Sequence, residues 1–290
     1  MSSSRHLPRG VTPLTRGTVA VTGPALAWLH RLDAAVVSAA QAWKAQEHQL
    51  PPIVKAADLE RIDYFRSFPH LMTVPVSLPP HEVSIERFSA RCERSSGTVP
   101  LEEHDRVEHA LLPAACYLVY PMLAPSRLQG RVLITTKATC FRRESHFVPL
   151  RRQWAFTMRE VVCVGTEVEV TDLLDRGRAL ITELCERLDL RREWLEATDP
   201  FFQPSRQGRY LYQRLNPVKH EAVVDDLAIA SVNRHHEHFG DAFAVRRGDQ
   251  AAQSGCVAFG LERWLSVVSV RWGEDPAAWP DPMSAGLDDA

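Results

Sequence analysis

The residues whose types and spacing most readily do chemistry are Phe141-Arg142-Arg143-Glu144 and, after a short arginine-rich stretch, Arg152 with Phe156 four residues on. A guanidinium grips phosphoryl oxygens through paired N–H donors. An aromatic face stacks on a planar ring, and a carboxylate accepts from an amino edge. The two groups lie at the facing ends of two β-branched runs, 131–141 and 154–164, so a long hairpin would bring them to one place. A second candidate is Gly260-Leu261-Glu262-Arg263, where a glycine before a helix lets backbone approach a ligand and the following arginine can meet polyphosphate. Each also reads as ordinary structure. The first would then be a solvated hairpin loop over a core Phe, the second an amphipathic helix with one exposed Arg.

The elements that must position these groups are only partly legible. Leu26, Leu29, Leu32, Val36, Ala40 and Trp43 recur at a helical period over 24–46, and Pro51-Pro52 prevents the helix from continuing. Ile53 and Val54 suggest a short strand, and 57–70 a turn or short helix ended by Pro69. Thr166 and Glu169 form a capping box, opening a helix with Val170, Leu173, Leu174, Ile181, Leu184 and Leu188 on one side. Strands are expected over 218–232 and 242–247, and 255–271 ends the domain. Residues 1–23 read as a loose arm, 274–290 as an irregular tail, and 191–215 resists assignment. A single catalytic-sized domain therefore spans 24–273.

Composition sets the limits. The 290 residues are 45% hydrophobic and 24% charged, ordinary for a soluble globular chain. A net charge of −2 provides no global basic field for nucleic acid. The six cysteines include no CxxC pair, unlike a secreted disulfide framework, and no apolar run is long enough for a membrane span. A cytoplasmic location without membrane contact is the expectation.

In order, the helix and strand around Pro51-Pro52, the F-R-x-E…R-x-x-x-F pair and the G-x-x-R segment resemble motifs 1, 2 and 3 of class II aminoacyl-tRNA synthetases. That resemblance implies an α+β fold, an antiparallel sheet of about six strands flanked by helices, and a homodimer packed across motif 1. It places Arg142 on the α-phosphate of ATP, Glu144 at the adenine or amino group, Phe156 against adenine, Arg263 on the γ-phosphate, and Arg152 in the same ATP site. Cys116, Glu160 and Cys256 resemble the Cys–Glu–Cys zinc site of the atypical seryl-tRNA synthetases of methanogens. They resemble still more that of the truncated bacterial relatives, the amino acid:[carrier protein] ligases. Such a site grips an amino group at an open fourth position. Within 219–243, Lys219 and Glu221 match the family's K-x-E pair, and Ser231 and Asn233 match positions facing the amino acid. Mg²⁺ would accompany ATP, but position 227, where a metal-holding glutamate is common, is leucine, so Asp226 is the stand-in. His235, His236 and His238 read as a polar loop, with a second metal site as the alternative.

The activity implied is activation of an amino acid as its adenylate. About 20 residues ahead of motif 1 cannot form a tRNA-binding domain, so the expected acceptor is not tRNA but the phosphopantetheine thiol of a carrier protein. Arg206, Arg209 and Tyr210, within the segment 191–215, are candidates for docking it. Glycine or alanine is the expected substrate. The alternatives are a non-catalytic regulator that binds an amino acid or adenylate, and a tRNA-charging, seryl-tRNA synthetase-like enzyme. Cys92, Cys140, Cys163 and Cys185 carry no such role.

Overall fold

The computed structural model describes residues 7–92, 97–206, 208, 211, 214 and 218–283. In chain order its strands are β1 (Val11–Pro13), β2 (Val19–Val21), β3 (Gln46–His48), β4 (Ile53–Lys55), β5 (His109–Leu111), β6 (Ser126–Leu128), β7 (Val132–Phe141), β8 (Ala155–Gly165), β9 (Arg192–Ala197), β10 (Lys219–Val224), β11 (Leu227–His236), β12 (Val245–Arg247), β13 (Gln250–Ala251) and β14 (Gln253–Gly260). Its α-helices are α1 (Gly23–Ala42), α2 (Ala56–Arg61), α3 (Tyr64–Ser67), α4 (Glu82–Arg91), α5 (Val119–Leu123), α6 (Glu167–Arg187), α7 (His238–Ala242) and α8 (Leu261–Trp272).

The long hairpin exists as the β-branched runs require. β7 and β8 pair antiparallel from Val132↔Val164 to Phe141↔Ala155, leaving 142–154 as the connecting loop. They sit inside a seven-stranded sheet of order β3-β7-β8-β14-β11-β10-β9. All of its pairings are antiparallel except β3 with β7, a parallel edge beyond the six strands expected. The α+β class is as expected.

Helices cover one face. α1 buries Trp28, Leu29, Leu32, Val36 and Ala40. It stops at Ala42, earlier than periodicity suggested, and Lys44 at φ 70° turns the chain into β3. α6 opens with both bonds of the Thr166–Glu169 capping box, and its predicted apolar side is buried. It lies so close to the sheet that a Cβ on Gly177 would run into Val257. Along β8 the pleat divides the core. Val161 and Cys163 join the cluster under α1, α6 and α8, while Val162 and Val164 join the one beneath α2, α3, α5 and α7.

Several expectations change. Residues read as a loose arm include the antiparallel pair β1–β2. The tail is packed at least through its aromatic start: Trp279 meets Trp28 edge-on at 5.4 Å, and Trp28 Nε1 donates to the Pro280 carbonyl at 2.8 Å. An indole burying its ring while satisfying its N–H is a strong local anchor. The strand expected over 218–232 is the hairpin β10–β11, turned at Asp225 with φ 55°. The strand expected over 242–247 is shortened to β12 in a separate three-stranded sheet, because α7 occupies the residues before it. Within 191–215, β9 pairs with β10. Among the described residues no helix is long and apolar enough to cross a membrane.

Candidate active site

The sheet face opposite α1 and α6 forms the floor of a cavity of about 490 Å³. The register explains its floor. Ala258 pairs with Glu160 across β14–β8 and with Ser231 across β11–β14, and Cys256 pairs with Asn233. Side chains at alternate positions share a face, so Glu160, Cys256, Ser231 and Asn233 meet on one side. Cys116 reaches them from a 3₁₀ turn, Ala115–Leu118, laid over that face.

Cys116, Glu160 and Cys256 are all buried, and one ligand atom from each lies within 4.8 Å of the others. Glu160 accepts from the Ala115 amide at 2.9 Å, which aims the carboxylate at the turn carrying Cys116. Asn233 Nδ2 donates to Cys256 Sγ at 3.3 Å and to Ser231 Oγ at 3.0 Å. His235 Nε2 lies 3.7 Å from Cys256 Sγ, and its Nδ1 lies 3.0 Å from the Tyr120 hydroxyl. The hydrogen bond to Cys256, burial and the Glu160 charge together hold the Cys116 thiol well above its ordinary range. The bond to Cys116 pulls Cys256 the other way, but burial and Glu160 outweigh it. Two thiols and a carboxylate crowded in a dry site are mutually unfavourable as anions, and a divalent cation inverts that balance. A sulfur–sulfur–oxygen donor set suits a borderline-soft ion with one position left open.

The cavity's other end is cationic. Arg142 follows β7 and donates from Nε to the Pro113 carbonyl at 2.9 Å; its guanidinium lies over the Phe156 ring, 5.2 Å from the centroid. Arg263, in the first turn of α8, donates to the carbonyls of Arg151 (3.1 Å) and Ala228 (2.8 Å). Burial, then the neighbouring charges of Arg142 and Arg152, draw Arg263 below its ordinary value. Neither guanidinium has an ion-pair partner among the described residues, although both line the cavity. Arg152 and Glu144, also lining it, pair with each other at 2.7 Å. Glu262 supports this end by accepting the Thr157 amide on both oxygens at 2.9 Å, which ties α8 to β8. On the third side Lys219 pairs with Glu221 at 3.2 Å and with Asp199 at 3.4 Å.

Of the residues singled out in the sequence, the cavity lining contains Arg142, Glu144, Arg152, Phe156, Arg263, Lys219, Glu221, Ser231, Asn233 and the Cys116–Glu160–Cys256 set. Asp226 is not brought there. It sits in the β10–β11 turn, two thirds exposed, bound to Arg151 at 2.6 Å. The tight turn ends the strand before Asp226, so its side chain does not share the face of Glu221 and Ser231. His235, His236 and His238 line the cavity but form no ligand-spaced group among the described residues, so the second metal site is not found. Arg206 is exposed and bonds Gln203 at 3.2 Å, away from the lining, while Arg209 and Tyr210 lie outside the described residues. Sequence reading missed Tyr64, Tyr117 and Asp199. Tyr117 had a signal in its adjacency to Cys116; the others had none.

No protein-family model matches this chain. It is 33% identical over 263 residues to amino acid–[acyl-carrier-protein] ligase 1 of Bradyrhizobium diazoefficiens, covering 87% of this chain and 79% of that protein. It is 32% identical over 257 residues to ligase 2 of the same organism, covering 85% and 76%. Among solved structures, the seryl-tRNA synthetase of M. kandleri, crystallised with an A. aeolicus tRNASec, superposes with a TM-score of 0.81 at 20% identity. That match covers 94% of this chain and 57% of the synthetase, so this chain spans little more than half of it, and it establishes a class II synthetase-like fold. With that fold and with a third of the aligned residues identical to ligase 1 across most of both chains, the chain belongs to the amino acid–[acyl-carrier-protein] ligase family.

Proposed function

We propose that this ligase activates a small amino acid with ATP as the aminoacyl adenylate and passes the acyl group to the phosphopantetheine thiol of a carrier protein. The observation that carries the reading is the pair of half-buried guanidiniums, Arg142 and Arg263, paired among the described residues only with neutral acceptors at one end of a cavity. Charge drawn partly out of water without a counter-ion is costly unless a ligand supplies one. A polyphosphate does so.

In this reading the substrate carboxylate oxygen attacks the α-phosphorus and pyrophosphate departs. Arg142 donates to the α-phosphoryl oxygens, where charge develops, and Arg263 to the γ-phosphate. Adenine stacks on the face of Phe156 that Arg142 leaves open, with Glu144 at its amino edge and Arg152 holding Glu144 in place. Cys116, Glu160 and Cys256 would hold Zn²⁺, which when bound fixes the amino group of the substrate as a Lewis acid. Asn233 and Ser231 orient the Cys256 sulfur, and the Lys219–Glu221 pair borders the same pocket. The carrier thiol then attacks the acyl carbon, AMP leaves with the electron pair of the broken bond, and the thiol proton is released. Mg²⁺ would travel with ATP, and Glu221 lies in the cavity where Asp226 does not. Glycine or alanine as substrate, a homodimer, a role for Arg206 in carrier docking and a cytoplasmic setting complete the proposal. The names of the two Bradyrhizobium relatives support the acceptor class.

Amino-acid-dependent pyrophosphate–ATP exchange across all twenty amino acids tests activation and names the substrate. Exchange with no amino acid would leave a binding protein instead. Incubation of the active combination with a holo carrier protein or with tRNA then reads the acceptor, and sedimentation reads the dimer. Acylated tRNA with unmodified carrier would overturn the acceptor proposed.

A further inference from the structure

Tyr64 opens α3, is only 3% exposed, and lines the cavity. Nothing in the chemistry above uses it. Its ring is fixed on two sides, edge-on to Tyr117 with centroids 5.9 Å apart and tilted against Phe68 at 5.3 Å. Asp63, just before it, is held at φ 58°, in the left-handed region that a non-glycine residue seldom adopts. Despite this rigid placement, the Tyr64 hydroxyl is buried and has no hydrogen-bond partner among the described residues. A buried phenol normally finds one, so an orphan at a cavity wall points to a partner that arrives with the ligand. Burial pushes Tyr64 up to about 12, with Arg142 pulling the other way, so the group is a neutral O–H donor near pH 7 and lies within the field of that guanidinium.

We propose that Tyr64 is a substrate-binding residue whose hydroxyl donates to an oxygen of the reacting centre, on the phosphoryl or the acyl group held beside Arg142. The assignment rests on the adenylate-forming reading of the cavity. Its logic is that of an oxyanion donor: the O–H is held in the cavity wall before the reaction and gains its bond only when substrate is present. The Tyr64→Phe variant separates this from a packing role. Removing a hydroxyl that makes no bond in the free protein leaves the melting temperature unchanged or raises it. Binding of the non-hydrolysable aminoacyl sulfamoyl adenosine, made with whichever amino acid drives exchange, is expected to weaken roughly tenfold, and kcat for exchange to fall roughly 10- to 100-fold.

Calorimetry with a non-hydrolysable ATP analogue alone distinguishes the two oxygens. Weakened binding of both ligands assigns the phosphoryl oxygen, and weakened binding of the sulfamoyl compound only assigns the acyl oxygen. Full activity and full affinity in Tyr64→Phe would overturn the assignment, as would a melting temperature several degrees lower, which would reveal a structural partner. Wild-type protein that neither exchanges pyrophosphate nor binds the sulfamoyl compound overturns the underlying reading as well, and that failure is visible before any variant is made.

Discussion

Arg159 and Arg142 are both arginines of the β7–β8 hairpin, and they end up in opposite electrostatic situations. Arg159 points to the helix face. There it makes a two-pronged pair with Asp33 of α1 (2.7 and 3.0 Å) and a further bond to Glu47 at 2.9 Å, while Lys137 adds a second cation on Asp33 at 2.7 Å. Arg142 points to the cavity face and, among the described residues, meets only a carbonyl, a thioether and an aromatic ring. The first set is closed: its charges satisfy one another and bind α1 to the sheet. The second is open, and in the function proposed above a phosphoryl group closes it. A guanidinium packed into the protein is therefore not itself a functional signal. Its partner list is.

This contrast can be broken most severely at Asp33. Asp33→Asn leaves the Arg159 charge buried with its main partner gone and is expected to cost about 3–5 kcal/mol in denaturant unfolding. Loss of less than about 1 kcal/mol would mean the network is not closed as described. The pairing also makes stability pH-dependent. Burial raises the Asp33 pKa, but its bonds to Arg159 and Lys137 outweigh that and set it below its ordinary value. A carboxyl depressed in the folded state stabilises it above the unfolded pKa of about 3.9 and loses that contribution as pH falls through the lower folded value. Wild type minus Asp33→Asn, compared at pH 6 and pH 3, should shrink accordingly.

At the open site the signature reverses. Arg142→Met is expected to lower amino-acid-dependent exchange by about 10²–10³-fold while the melting temperature holds or rises. A melting temperature that falls with activity intact would make Arg142 a second Arg159. Smaller again is Asn233→Ala, which removes the amide donor to Cys256. Zinc affinity in chelator competition should fall by about 10- to 100-fold, with the fold intact by circular dichroism. Unchanged zinc binding would leave Asn233 to the substrate alone. The smallest effect belongs to Thr166→Ala, which unmakes the capping box far from either arginine. It should cost about 1 kcal/mol and leave exchange kinetics untouched.

What was legible in the sequence shared one property: the determining interactions lie within a few residues. The β-branched runs forced the β7–β8 hairpin, Thr166 and Glu169 opened α6, and Gly260 handed β14 to α8. Even the resemblance rode on such short motifs. The rest depended on register and on which face a residue takes. Arg159 and Glu160 are neighbours in sequence, yet the pleat sends one to a closed ion pair and the other to the cysteine cluster, and a one-residue slip would exchange them. Asp226 shows the same rule in the negative, since the turn at Asp225 carries it off the strand face it needed. Tyr64 carried no signal at all. Its place in the cavity follows from α3 packing over a sheet formed by strands remote in the chain, which only the tertiary structure decides.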